Sequence, residues 1–109
     1  MREILRSMYN NNQKTADFEG IIKEVYYLSE KKQRTILLSN VTYNDNEVAN
    51  HCWILEEDLK NRYIRKNLNN LTGDRIKFKA NIVRYYHLRS TARILDYNIK
   101  NLRHIQLVS

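Results

Sequence analysis

No proline interrupts this chain, and only two glycines, Gly20 and Gly73, occur in its 109 residues. With so few breakers, turns have to be built from Asn, Asp and Ser, which tolerate turn backbone for their own reasons. A single cysteine, Cys52, excludes an internal disulfide and suits a reducing compartment. No stretch nears the roughly 18 consecutive apolar residues of a membrane-spanning helix. The opening MREILRSMYNNNQK has no apolar core of signal-peptide type. A cytoplasmic location is expected.

Catalytic signatures are equally scarce. His51 and Cys52 are adjacent, so on a strand they point to opposite faces and cannot form a nucleophile–base pair. His87 and His104 have no carboxylate or thiol at metal-ligand spacing. No glycine-rich loop is present to cradle phosphates. Asp58, Asp74 and Asp96 stand singly beside helix, turn and strand ends, where lone acids cap backbone groups. The chain reads as non-enzymatic, with no metal or cofactor.

What is abundant is positive charge, and it is uneven. The net charge is +7, but residues 1–57 carry seven Lys/Arg against nine Asp/Glu, and residues 58–109 carry twelve against three. A single domain with one strongly basic half suits a polyanionic partner such as a phosphate backbone.

The pattern along the chain is mostly β. Residues 1–16 form an N-terminal arm or short helix, and residues 17–109 one domain. Asp17–Ser29 reads as a first strand, with a bulge expected near Gly20 because the apolar parity shifts there. Arg34–Tyr43 is a second strand, followed by an Asn44–Glu47 turn. Glu47–Leu55 is a third, with Ala49, His51 and Trp53 or their neighbours inward. Glu56–Leu71 changes to helical spacing through Leu59, Tyr63 with Ile64, Leu68 and Leu71, with acids first and bases later, as the helix dipole prefers.

After Thr72-Gly73-Asp74 the chain alternates cleanly. Ile76, Phe78, Ala80 and Ile82 point one way, and Arg75, Lys77, Lys79 and Asn81 the other. A loop near Leu88–Ala92 leads to a fifth strand, Arg93–Ile99, and the tail at 102–107 adds an extended edge or closes the barrel. The order β-β-β-α-β-β predicts a mainly-β, five-stranded, OB-fold-like barrel with one helix.

OB-folds bind along strands two and three, flanked by the first and last hairpin turns. The first turn supplies Lys31, Lys32 and Arg34. The last supplies Arg84, Tyr85, Tyr86, Arg89 and Arg93, beside His87. Tyr43, and whichever of Tyr26 and Tyr27 faces out, extend an aromatic platform, and Lys77 and Lys79 extend a phosphate-binding surface. Cations that track a backbone and aromatics that stack on bases are what single-strand binding requires.

Two stretches carry a resemblance. Asn50-His51-Cys52-Trp53 resembles an [Asp/Asn]-His-x-Trp motif, and Leu71–Tyr85 resembles an L-x-x-Gly-Asp-x-Ile-x-Phe-x-Ala block. Leu95-Asp96-Tyr97-Asn98-Ile99 resembles an Asp-Tyr-x-Leu segment. In this order they resemble small proteins of phages and mobile elements of low-GC Gram-positive bacteria, over residues 18–106. The chain departs from them in having Asn50 for Asp and His87-Leu88-Arg89-Ser90-Thr91 for a glycine-rich loop. The resemblance implies a small barrel of mobile-element origin. Within it, Trp53 is expected to pack the core or rim and His51 to bind a backbone carbonyl. Two functions follow as expectations: binding of single-stranded DNA or RNA, or an anti-CRISPR-like inhibitor that docks on a host defence protein or ribonucleoprotein. Self-assembly through the Leu102–Val108 edge is a third.

Overall fold

The computed structural model describes residues 2–108, with the side chain of Arg89 outside that description. Alternating apolar residues build five strands: β1 (Thr15–Leu28), β2 (Gln33–Tyr43), β3 (Asn46–Leu55), β4 (Arg75–Arg89) and β5 (Ala92–Val108). They form one antiparallel sheet in the order β3-β2-β1-β4-β5. A helix α1 (Glu3–Asn10) precedes β1, and a short helix α2 (Arg62–Lys66) lies between β3 and β4.

The inward face of β4 is the one its alternation specifies: Ile76, Phe78, Ala80 and Ile82 are all buried. They meet Phe18 and Ile22 of β1, Ile36 and Leu38 of β2, and Ile99 of β5 in one core, which Leu5 and Met8 of α1 complete. Burying each such side chain is worth about 1.5–3 kcal/mol, so the amphipathic N-terminal segment is held by its two apolar residues.

Turn chemistry follows from the scarcity of glycine. Asn44 and Asp45 both have positive φ (51° and 65°) and close β2 onto β3 in two residues, the geometry whose twist matches the flanking strands. Gly73 takes φ 93° before β4, and its N–H donates to the Ile22 carbonyl at 2.7 Å, tying the start of β4 to β1. On β1 the register against β2 shifts between Glu19 and Ile21, which is the irregularity that the parity change at Gly20 signals.

Two expectations, the long helix and the last loop, are corrected, and two open ones, the face of β3 and the tail, are decided. The helix over 56–71 is only five residues long, flanked by 3-10 turns at Glu56–Asp58 and Leu68–Asn70. Between the first turn and α2 the backbone is extended, because Leu59 bridges Leu102 of β5 and the Lys60 N–H donates to the Leu102 carbonyl at 2.7 Å. Asn61 then caps α2, accepting from the Ile64 N–H at 2.9 Å. Ile64 is buried there, and Tyr63 is exposed. On β3 the inward residues are Val48, Ala49, Cys52 and Ile54, and Trp53 and His51 face out. The last two strands meet in a two-residue turn at Ser90-Thr91 rather than a loop. Finally, the tail is part of β5, which continues past residues 101 and 104, where Asn101 and His104 take positive φ (57° and 52°) as bulge residues.

The barrel is not closed. Strands β3 and β5 approach each other, and Asn98 Nδ2 donates to the Trp53 carbonyl at 3.3 Å. The Arg2 guanidinium spans the same seam, donating to the His51 carbonyl at 3.0 Å and to the Tyr97 carbonyl. Among the described residues, no ladder joins the two strands. Asn98 Oδ1 is buried there without a partner.

Candidate nucleic-acid interface

The outward face of the first three strands is aromatic. Trp53 pairs with Leu37 across β3–β2, and Tyr26 of β1 lies beside it with ring centroids 5.8 Å apart. Both side chains are 46% exposed. On one side of the indole lies an apolar pocket of about 410 Å³, made with Leu28, Leu55 and Lys31. On the other lies a polar groove of about 600 Å³, made with Lys23, Ser39, Asn40, Asn50 and His51. Tyr26 is fixed by donating its hydroxyl to Glu24, which raises the phenol's pKa. A partly exposed indole flanked by apolar area, amides and two lysines can stack one ring and hydrogen-bond its edge.

Of the expected site residues, Lys31 belongs to this face. Lys32 is exposed in the adjoining turn at φ 53°. Arg34 is not available. Its guanidinium grips Glu56 in a fork, Nη2 to Oε2 at 2.9 Å and Nε to Oε1 at 3.1 Å, and also donates to the Arg65 carbonyl. That fork holds the Glu56 carboxyl down to about 2. Tyr43 is half-buried, packs on Phe18 and accepts from Gln13 at 3.0 Å.

The lysine stripe on β4 stands opposite acids of β1, with no ion pair of Lys77 or Lys79 within 4.0 Å among the described residues. Lys77 sits opposite Glu19 and Lys79 opposite Asp17 on β1, and Arg75 Nη1 is 3.9 Å from Glu19. Cross-strand pairs of opposite charge stabilise a sheet, so acids of the first strand offset the apparent cationic face.

The last hairpin divides its residues between two faces, as a strand must. Tyr85 donates to Asp96 at 3.2 Å, with His87 Nε2 at 3.7 Å from the same carboxylate oxygen. Burial, with Asp96 adding to it, raises the Tyr85 pKa. On the opposite face Arg84 lies over the Tyr9 ring at 5.1 Å and Arg93 over Tyr86 at 4.5 Å. The Arg89 side chain lies outside the described residues. The structure therefore does not bring Arg84, Tyr85, Tyr86 and Arg93 to one surface.

Trp53, half exposed, is the residue of this face that sequence reasoning left out of the candidate site. The signal was there: Cys52 and Ile54 are the apolar parity of β3, which leaves His51 and Trp53 outside. Cys52 is fully buried and its thiol is pushed up to about 11, so it is not a thiolate at neutral pH, and His51 faces away from it.

Neither a family model, nor a curated protein, nor a solved structure matches the chain. Its function has to be argued from the site alone.

Proposed function

We propose that this protein is a non-enzymatic binder of single-stranded nucleic acid that stacks bases on Trp53 and Tyr26. The single observation that carries this reading is the Trp53–Tyr26 pair, held 5.8 Å apart on the outward sheet face between an apolar pocket and a polar groove. Lys23 and Lys31 stand at its two sides, and the net charge of +7 favours a polyanion.

The same reading takes the sheet as an OB-fold-type barrel. Its support is the strand order β3-β2-β1-β4-β5, a cap inserted between β3 and β4, and β3 lying against β5 at the Asn98–Trp53 contact. It is consistent with the resemblance of the Asn50–Trp53 and Leu71–Tyr85 stretches to phage and mobile-element proteins, and with action in a bacterial host cytoplasm. No helix among the described residues is long and apolar enough to cross a membrane.

Trp53→Ala tests the proposal. Loss of a stacked base costs ~1–3 kcal/mol, or roughly five- to 150-fold in affinity for an oligonucleotide. Affinity unchanged by Trp53→Ala and by Tyr26→Ala refutes it. Wild-type protein that binds no oligonucleotide, but captures a nuclease-resistant protein partner, favours the inhibitor alternative.

A further inference from the structure

Beside the stacking face lies a second surface that it does not use. Leu59 and Asn61 help to form a groove of about 540 Å³ whose charged lining is Arg34, Lys60, Arg62, Arg65 and Lys66 against the single acid Glu56. Glu56 is already held by Arg34 on both carboxylate oxygens, and Arg65 stands 3.9 Å from it. The lining therefore keeps a net positive charge. Lys60 donates to the Glu57 carbonyl at 2.8 Å. Arg62 and Lys66 are exposed and have no ion-pair partner among the described residues.

The groove lies round the ends of β2 and β3 from the stacking face, because consecutive residues of a strand point to opposite sides. Thr35 and Leu55 line the apolar pocket beside Trp53, and their neighbours Arg34 and Glu56 line the groove. A strand that leaves the Trp53 stack and turns over these strand ends meets the cationic lining of the groove. The groove is open, and its one acid, Glu56, is outnumbered by five cations, which is what a track for a flexible polyanion needs.

We infer that the groove at the α2 cap is the phosphate-binding arm of the nucleic-acid site, with Arg62 and Lys66 contacting the backbone of nucleotides that leave the Trp53 stack. This rests on the proposed function and extends it. The site then has a base-stacking part and a phosphate part.

The test is the salt dependence of binding by labelled oligothymidylates of about three and about twelve nucleotides, read by fluorescence anisotropy, with oligouridylate as the RNA arm. For Arg62→Gln with Lys66→Gln, affinity for the longer strand is expected to fall about tenfold at low salt. The slope of log affinity against log salt is expected to become shallower by about 1.4, at about 0.7 per single-strand phosphate contact. The shorter strand, which covers only the stack, is expected to bind as to wild type. Arg62→Lys with Lys66→Arg keeps the charge and is expected to keep the slope. An unchanged slope and affinity in the double Gln variant, with Trp53→Ala still weakening binding, overturns the groove and leaves the stacking face standing. Binding that survives Trp53→Ala but fails in the double Gln variant overturns the stacking reading instead. No binding by wild type overturns both.

Discussion

Two outward faces of the same sheet invite opposite first impressions. The β4 face carries Arg75, Lys77 and Lys79 in a row and looks built for phosphate. The β3–β2–β1 face carries one tryptophan and few charges. The fold reverses their standing, since register sets Glu19 and Asp17 opposite the two lysines. Trp53 and Tyr26, by contrast, remain half open with polar and apolar pockets on either side. Charge in a sequence is thus not available charge. What counts is what the neighbouring strand sets against it.

If β4 matters for its inward side, its largest effect is on stability. Phe78→Ala removes a buried ring that packs 6.0 Å from Phe18, and is expected to cost about 3–5 kcal/mol in denaturant unfolding. A cost under about 1 kcal/mol breaks the claim that this face anchors the core.

A smaller effect is expected at the clasp between β2 and the cap. Because the folded-state carboxyl of Glu56 is depressed to about 2, its contribution is present above the unfolded value and is lost as pH falls through the folded one. Glu56→Gln is expected to lose about 1–2 kcal/mol at neutral pH, after discounting for solvent screening. The wild-type and variant unfolding midpoints are then expected to converge between about pH 5 and pH 2. A gap that persists at low pH contradicts the ion pair as its cause. The same variant removes the carboxylate that Arg34 grips, leaves its bond to the Arg65 carbonyl, and so makes the groove more positive.

The smallest effect is expected on the lysine stripe itself. Lys77→Gln with Lys79→Gln is expected to change oligonucleotide affinity by about threefold or less, because exposed pairs of this kind are worth ~0–1 kcal/mol. Asp17→Asn with Glu19→Gln goes the other way: it unmasks the lysines and is expected to tighten binding at low salt. If the lysine variant weakens binding tenfold, the two faces have been ranked wrongly.

Much of this architecture was legible in the residues. The period-two run Ile76–Ile82 gave the inward face of β4, Asn44-Asp45 gave a tight hairpin, and the parity shift at Gly20 gave the irregularity on β1. The helix at 56–71 was overestimated because its spacing was real but local. Leu59 and Leu68 are buried as their spacing requires, yet residues 59–60 are drawn out by a contact with Leu102, more than forty residues away along the chain. The site was less legible for the same reason. Whether Lys77 meets an acid depends on β1–β4 register, and whether Arg34 is free depends on Glu56, neither of which local pattern encodes. Trp53 was readable from the parity of Cys52 and Ile54, which leaves its ring on the outward face.

The central claim is that bases stack on Trp53, and the chain makes it directly measurable because it contains one tryptophan. Titrating the protein with unlabelled oligothymidylate while following indole emission is expected to give saturable quenching, with an affinity that falls as salt rises. Binding seen by a second method with no change in Trp53 emission contradicts the account.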